Sequence, residues 1–97
     1  MYCVYFLRSK KTNKVYVGFT EKEPDDRLRE HNNGSNEWSS ANAPLILLYY
    51  EKYLCKDDAI NREQFYKMGF GRKIRDAIIQ TVSTNTGEAK GPYEIGI

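Results

Sequence analysis

Ninety-seven residues are enough for one hydrophobic core and too few for two. With 40% hydrophobic and 29% charged residues, the chain has the composition of a folded globular domain, which excludes general disorder. The formal net charge of +2 is too small to argue for a polyanionic partner by itself, so any such signal must come from local clusters of cations.

In chain order, Tyr2 to Arg8 suits a strand that is apolar on both faces and therefore central, with Tyr2, Val4 and Phe6 opposed to Cys3, Tyr5 and Leu7. The polar connector Arg8-Ser9-Lys10-Lys11-Thr12-Asn13 closes a hairpin onto a second strand over Lys14–Thr20. That pairing brings the phenols of Tyr5 and Tyr16 close together. Gly18 interrupts the second strand, and an interior glycine signals that another group approaches the backbone closely there. Pro24, followed by Asp25 and Asp26, fits the first turn of a helix that runs to about Asn32 and stops at Asn33-Gly34. On it, Arg27 and His31 are four apart and share a face.

Residues 33–44 read as an irregular surface segment around Trp38, which could stack on a base but is expected to cover the core. Leu45 to Tyr53 is a third strand whose continuous apolar start implies burial on both faces. A helix from Lys56 to about Met68, ended by Gly69, carries an apolar line that includes Ala59, Ile60 and Tyr66. Glu63 falls on that line, where a carboxylate is costly unless a cation, a metal or a donor meets it; an ion pair with Arg62 or Arg27 is the bland solution. A last helix opens at Gly71-Arg72-Lys73 and runs to about Val82, with Ile74, Ala77, Ile78 and Ile79 inward. The domain is thus expected over 1–82, with a flexible or loosely docked tail over 83–97. Cys3 and Cys55 lack metal-ligand spacing and are expected as reduced thiols of a cytoplasmic protein. No stretch is long and apolar enough for a membrane span, and no signal peptide opens the chain, so no membrane partner is expected.

Taken together, Cys3-Val4-Tyr5 and Tyr16-Val17-Gly18 resemble the paired signature of the GIY-YIG nuclease domain. Asn13-Lys14-Val15-Tyr16-Val17-Gly18, Arg27-Leu28-Arg29-Glu30-His31-Asn32, Arg62-Glu63 and Gly69-Phe70-Gly71-Arg72-Lys73 follow in that family's order. The likeness covers roughly residues 1–80 and is greatest to the small single-domain bacterial members. It implies an α/β (α+β) fold with a three-stranded antiparallel sheet flanked by helices, and metal-dependent hydrolysis of DNA phosphodiesters, with DNA repair or recombination as the setting. By that resemblance Tyr5, Tyr16, Arg27, His31 and Glu63 are the catalytic set, with Glu63 the ligand of Mg²⁺ (or Mn²⁺) and Gly18 the signature glycine. Three departures stand out: Cys3 replaces the first signature glycine, the loop before Arg27 is about one residue longer than usual, and Asn85 is the candidate for an asparagine that many relatives carry after the glutamate.

Such hydrolysis needs an activated water, neutralisation of charge on the phosphoryl oxygens and help for the leaving oxygen. A phenol is a weak base at neutral pH unless a cation lowers its pKa from about 10. Tyr16 is therefore expected to act on water with help from Arg27 and the metal, His31 to assist proton transfer, and Tyr5 to orient water or phosphate. Lys10, Lys11 and Lys14 in the hairpin and Arg72, Lys73 and Arg75 on the last helix are the candidate DNA track, and the N-terminus of that helix offers N–H groups to a phosphate. Sequence specificity would then come from loops, the tail, a protein partner or a homo-oligomer. Two other functions compete with the nuclease: a non-catalytic nucleic-acid-binding module on the same fold, and a small protein-interaction domain whose polar residues only fix its core.

Overall fold

The computed structural model describes residues 1–85. Strands β1 (Tyr2–Ser9), β2 (Val15–Thr20) and β3 (Leu45–Tyr53) form one antiparallel sheet in the order β2-β1-β3, so β1 is central as its two apolar faces require. Helices α1 (Pro24–Asn32) and α2 (Glu37–Asn42) lie between β2 and β3 in sequence, and α3 (Lys56–Tyr66) and α4 (Gly69–Asn85) follow β3.

Strand alternation splits the core in two. Val4, Phe6, Val17, Ile46 and Leu48 pack with Ala59 and Tyr66 of α3 and Val82 of α4. Tyr5, Leu7, Leu45 and Leu47 face the other way, under Leu28 of α1 and Trp38 of α2. A bulge changes the phase of β3: Phe6 pairs with Tyr49 but Leu7 with Leu47, so Leu48 is the extra residue. Beyond it Tyr49, Glu51 and Tyr53 share the α3 side, while Tyr50 packs on the other.

That phase change buries Glu51 completely. Its Oε2 accepts hydrogen bonds from Tyr49 Oη at 2.6 Å and from Tyr66 Oη, and its Oε1 accepts from Tyr53 Oη and, at 3.2 Å, from Arg62 Nε. Burial, reinforced by the carboxylate itself, raises the pKa of all three phenols, Tyr66 to about 12, so they remain donors. Arg62 also covers the rings of Phe65 and Tyr66, with 4.9 and 4.5 Å from its guanidinium carbon to the ring centroids. The cluster fastens α3 to β3.

Four expectations are corrected. Residues 33–44 are not wholly irregular: Asn36 caps α2 by accepting from Ser39 N–H at 2.8 Å. Helix α3 stops at Tyr66, and Gly69 opens α4 instead of ending α3. The cause is Gly71, where a Cβ would lie 1.7 Å from the Phe65 carbonyl oxygen; the two helices meet backbone to backbone, so the chain must already have turned. Ala77 is exposed, and Val82 takes the inward place beside half-buried Ile74, Ile78 and Ile79. Residues 83–85 continue α4, while the Asn85 side chain and the rest of the expected tail lie outside the described residues. Cys3 and Cys55 are free thiols, the first buried and the second exposed.

Truncating Glu51 strands three phenols and a guanidinium. Glu51→Ala should lower unfolding free energy by about 3–5 kcal/mol in urea titrations, with Glu51→Gln losing less because it keeps two acceptor lone pairs.

Candidate active site

The hairpin sets Tyr5 opposite Gly18 and Leu7 opposite Tyr16. A Cβ on residue 18 would lie 2.4 Å from Tyr5 Oη and 2.8 Å from Tyr16 Cε2. The approaching groups that the glycine signalled are therefore the two phenols, whose ring centroids are 6.3 Å apart. Tyr5 is only 1% exposed and Tyr16 is half-buried, so Tyr16 is the phenol that reaches solvent.

Helix α1 delivers Arg27 and His31 to this point, as their spacing predicts. His31 is fully buried, and its Nε2 lies 2.9 Å from Tyr5 Oη while its Nδ1 hydrogen-bonds the buried Ser39 hydroxyl of α2. Burial, helped by the Arg27 charge, pushes the imidazole pKa down to about 4, so the ring is neutral at pH 7. One of its nitrogens then donates and the other accepts, making Tyr5–His31–Ser39 a continuous chain along which a proton can pass. Burial also lifts the Tyr5 pKa to about 12 against the pull of Arg27, which keeps the phenol protonated. Trp38 closes the outer side, 5.1 Å from the Tyr16 ring, and Tyr16 in turn stands edge-on to His31 at 5.0 Å.

Arg27 remains a firm cation. Burial opposes its charge, but Glu30, 2.7 Å from its Nη1, and the Tyr5 phenol raise its pKa. It lines a cleft of about 430 Å³ with Phe19, Thr20, Glu21, Lys22 and Glu30. Lys22 shares the Glu30 carboxylate, whose pKa falls under Lys22 first and Arg27 second.

Glu63 comes from α3, which packs against all three strands. Neither bland partner holds it: Arg62 goes to Glu51 and Arg27 to Glu30, while Glu63 pairs with Lys67 at 3.0 Å and accepts from Gln64 at 3.3 Å. Its side chain is 15% exposed, and its charge is close enough to raise the Tyr5 pKa. Among the described residues no three His, Cys, Asp or Glu side chains converge. A lone carboxylate whose two oxygens each keep a free lone pair still fits Mg²⁺, which retains waters and takes further oxygens from phosphate.

Of the expected basic track, Lys10, Lys11 and Lys14 are exposed around the hairpin turn, and Arg72 and Lys73 are exposed on the first turns of α4. Arg75 is drawn to Asp76 at 3.0 Å. Ser39 and Glu51 escaped sequence reasoning. The Asn36-Glu37 pair, a capping residue before an acid, was the available signal for α2 and hence for Ser39. Glu51 carried none, because only the bulge turns it inward.

An α+β domain that gathers two phenols, a neutral imidazole, a fixed guanidinium and a nearby carboxylate around one hairpin has the make-up of a nuclease-type domain. The family model for the GIY-YIG catalytic domain matches residues 1–75, and the chain belongs to the GIY-YIG family. No curated protein and no solved structure matches it.

Two outcomes follow from this packing. Gly18→Ala should cost about 1–3 kcal/mol, because Tyr5 must leave its place against the backbone; chemical denaturation reads the loss. His31 titrates near 6.5 when unfolded and about 4 when folded, so the unfolded chain binds more protons between those values. Its contribution is complete above pH 6.5 and is lost as pH falls through 4, a decline of roughly 3 kcal/mol that should be smaller in His31→Gln when unfolding is followed across that window.

Proposed function

We propose that this protein is a divalent-metal-dependent endonuclease that hydrolyses DNA phosphodiesters. The observation that carries the reading is the division of the site into a solvent-facing pair, Tyr16 and Arg27, and a sealed neutral relay, Tyr5–His31–Ser39, behind it. A binding module needs the cations but has no use for a buried proton path beside them.

Arg27, a permanent planar cation on the cleft wall, is suited to hold a phosphate and to counter charge growing on its oxygens. Tyr16 is suited to position the attacking water, since its ring is fixed between His31 and Trp38. The neutral imidazole can pass a proton between Tyr5 and Ser39 without creating a second buried charge beside Arg27. Glu63 would hold Mg²⁺ or Mn²⁺, which when bound supplies further neutralisation of the phosphoryl oxygens and lowers the pKa of water. Lys10, Lys11, Lys14, Arg72 and Lys73 would contact the DNA backbone, with Arg75 released from Asp76. DNA repair or recombination in the cytoplasm is the proposed setting, with a protein partner or a second copy adding specificity.

Supercoiled plasmid incubated with Mg²⁺ or Mn²⁺ should be nicked or linearised, and chelation should stop the reaction. Glu63→Ala and Tyr16→Phe should each lower the rate by about 10² or more. Cleavage that survives both substitutions would remove these residues from the mechanism, and salt-sensitive DNA retention without any cleavage would leave only a binding module.

A further inference from the structure

The turn between α3 and α4 presents an aromatic ring to water. Phe70 is 69% exposed and Met68 62%, while every other large aromatic among the described residues is at least half-buried. The stretch 67–73 around them holds Lys67, Arg72 and Lys73, all exposed, and no acid.

This is not a frayed loop. Met68 N–H donates to Phe65 O at 3.2 Å, Arg72 N–H to Met68 O at 3.2 Å, and Arg72 Nε to Lys67 O at 3.1 Å. Gly71 is pressed so closely on the Phe65 carbonyl that no side chain fits there. The backbone on both sides of Phe70 is therefore held, and the ring's outward direction is built into the fold. An exposed aromatic carried on a held backbone among cations suits a single-stranded nucleic acid, because the ring stacks on a base while the cations meet its phosphates.

The patch also adjoins the candidate site. Lys67, at its edge, is the residue that pairs with Glu63 one helical turn earlier. A strand that places a phosphodiester at Glu63 would meet Lys67 next and Phe70 after it. The exposed cations Lys67, Arg72 and Lys73, with no acid in the same stretch, complement a polyanion, which favours nucleic-acid substrate over a protein partner as the occupant. Bases inside a duplex have both faces covered, so the ring can take only an unpaired one.

We infer that Phe70, supported by Arg72 and Lys73, is a stacking site for an unpaired base close to the scissile phosphodiester. The preferred substrate is then DNA with a flap, gap or bulge, not continuous duplex. This inference rests on the nuclease reading above, yet the two fail separately.

The test uses the full chain carrying Glu63→Gln, to prevent cutting, and DNA with 2-aminopurine in a short flap or in a matched duplex. The flap should bind more tightly and its fluorophore should be quenched on binding. Adding Phe70→Ala should weaken flap binding by roughly fivefold or more and abolish the extra quenching, with duplex affinity unchanged, while Phe70→Trp should restore both. Equal losses on flap and duplex, or none on either, would overturn the stacking site, as would a Phe70→Ala effect confined to self-association on a sizing column. Plasmid cleavage by the wild type with no Phe70-dependent preference would sink this inference alone; absence of cleavage with the preference intact would sink only the nuclease reading.

Discussion

The architecture of the site depends on one steric fact: the Tyr5 phenol occupies the space where residue 18 would carry a Cβ. Because Tyr5 lies over the β2 backbone, its hydroxyl reaches His31 and is shut off from water. His31 is buried in turn, and burial keeps it neutral. Ser39 must then satisfy the second ring nitrogen, which requires a helical turn just ahead of β3, and that turn carries Trp38 over Tyr16. A hairpin register, a glycine and a short helix are thus links in one chain of causes, each needed for the next.

The opposite side of the sheet obeys a different constraint. One extra residue at Leu48 turns Glu51 inward, and a buried carboxylate is tolerable only when its oxygens are saturated. Three phenols and Arg62 do this, and two of the four donors, Arg62 and Tyr66, come from α3. Glu63 follows Arg62 directly in the chain, so the helix that carries it is fixed to β3 by polar bonds with definite directions, not by apolar packing alone. Directional bonds restrict rotation of a helix about its axis more tightly than hydrocarbon contacts, which tolerate repacking.

Much of this was legible in the residues. Alternation marked β2, apolar residues on both faces made β1 central, and a continuous apolar run marked β3; Gly18 announced a close approach; the four-residue spacing set Arg27 and His31 on one side; Pro24 and the acids after it opened α1 where expected. What stayed hidden depends on contacts between segments distant in sequence. A bulge leaves no local trace in the run Leu45–Tyr49, so the inward turn of Glu51 could not be read. That Arg62 would be unavailable to Glu63 was equally hidden, since it is claimed by Glu51 of β3, whereas the pair Glu63 does make, with Lys67 four residues on, was open to a local reading. The α3–α4 boundary moved because Gly71 serves helix-to-helix contact, and a glycine used for close approach looks in sequence like one that stops a helix. Ser39, in a stretch dominated by polar and small residues, gains its meaning only from the histidine above it.

Arg27 and His31 illustrate why spacing alone does not define a site. On one helix face both could be cations, and two positive charges so close would repel each other while drawing a phosphate. The fold separates their roles by depth. Arg27 stays at the cleft wall, where Glu30 and the Tyr5 phenol sustain its charge, whereas His31 is buried deeper and loses its proton to desolvation and to Arg27 itself. The permanent cation thus reinforces the neutrality that burial imposes on its neighbour, and a neutral imidazole bonded to a hydroxyl at each end is the only form in which that residue can both accept and donate. Any change that removed the Arg27 charge would therefore act twice: the cleft would lose its firm cation, and the relay behind it would lose part of what keeps it neutral.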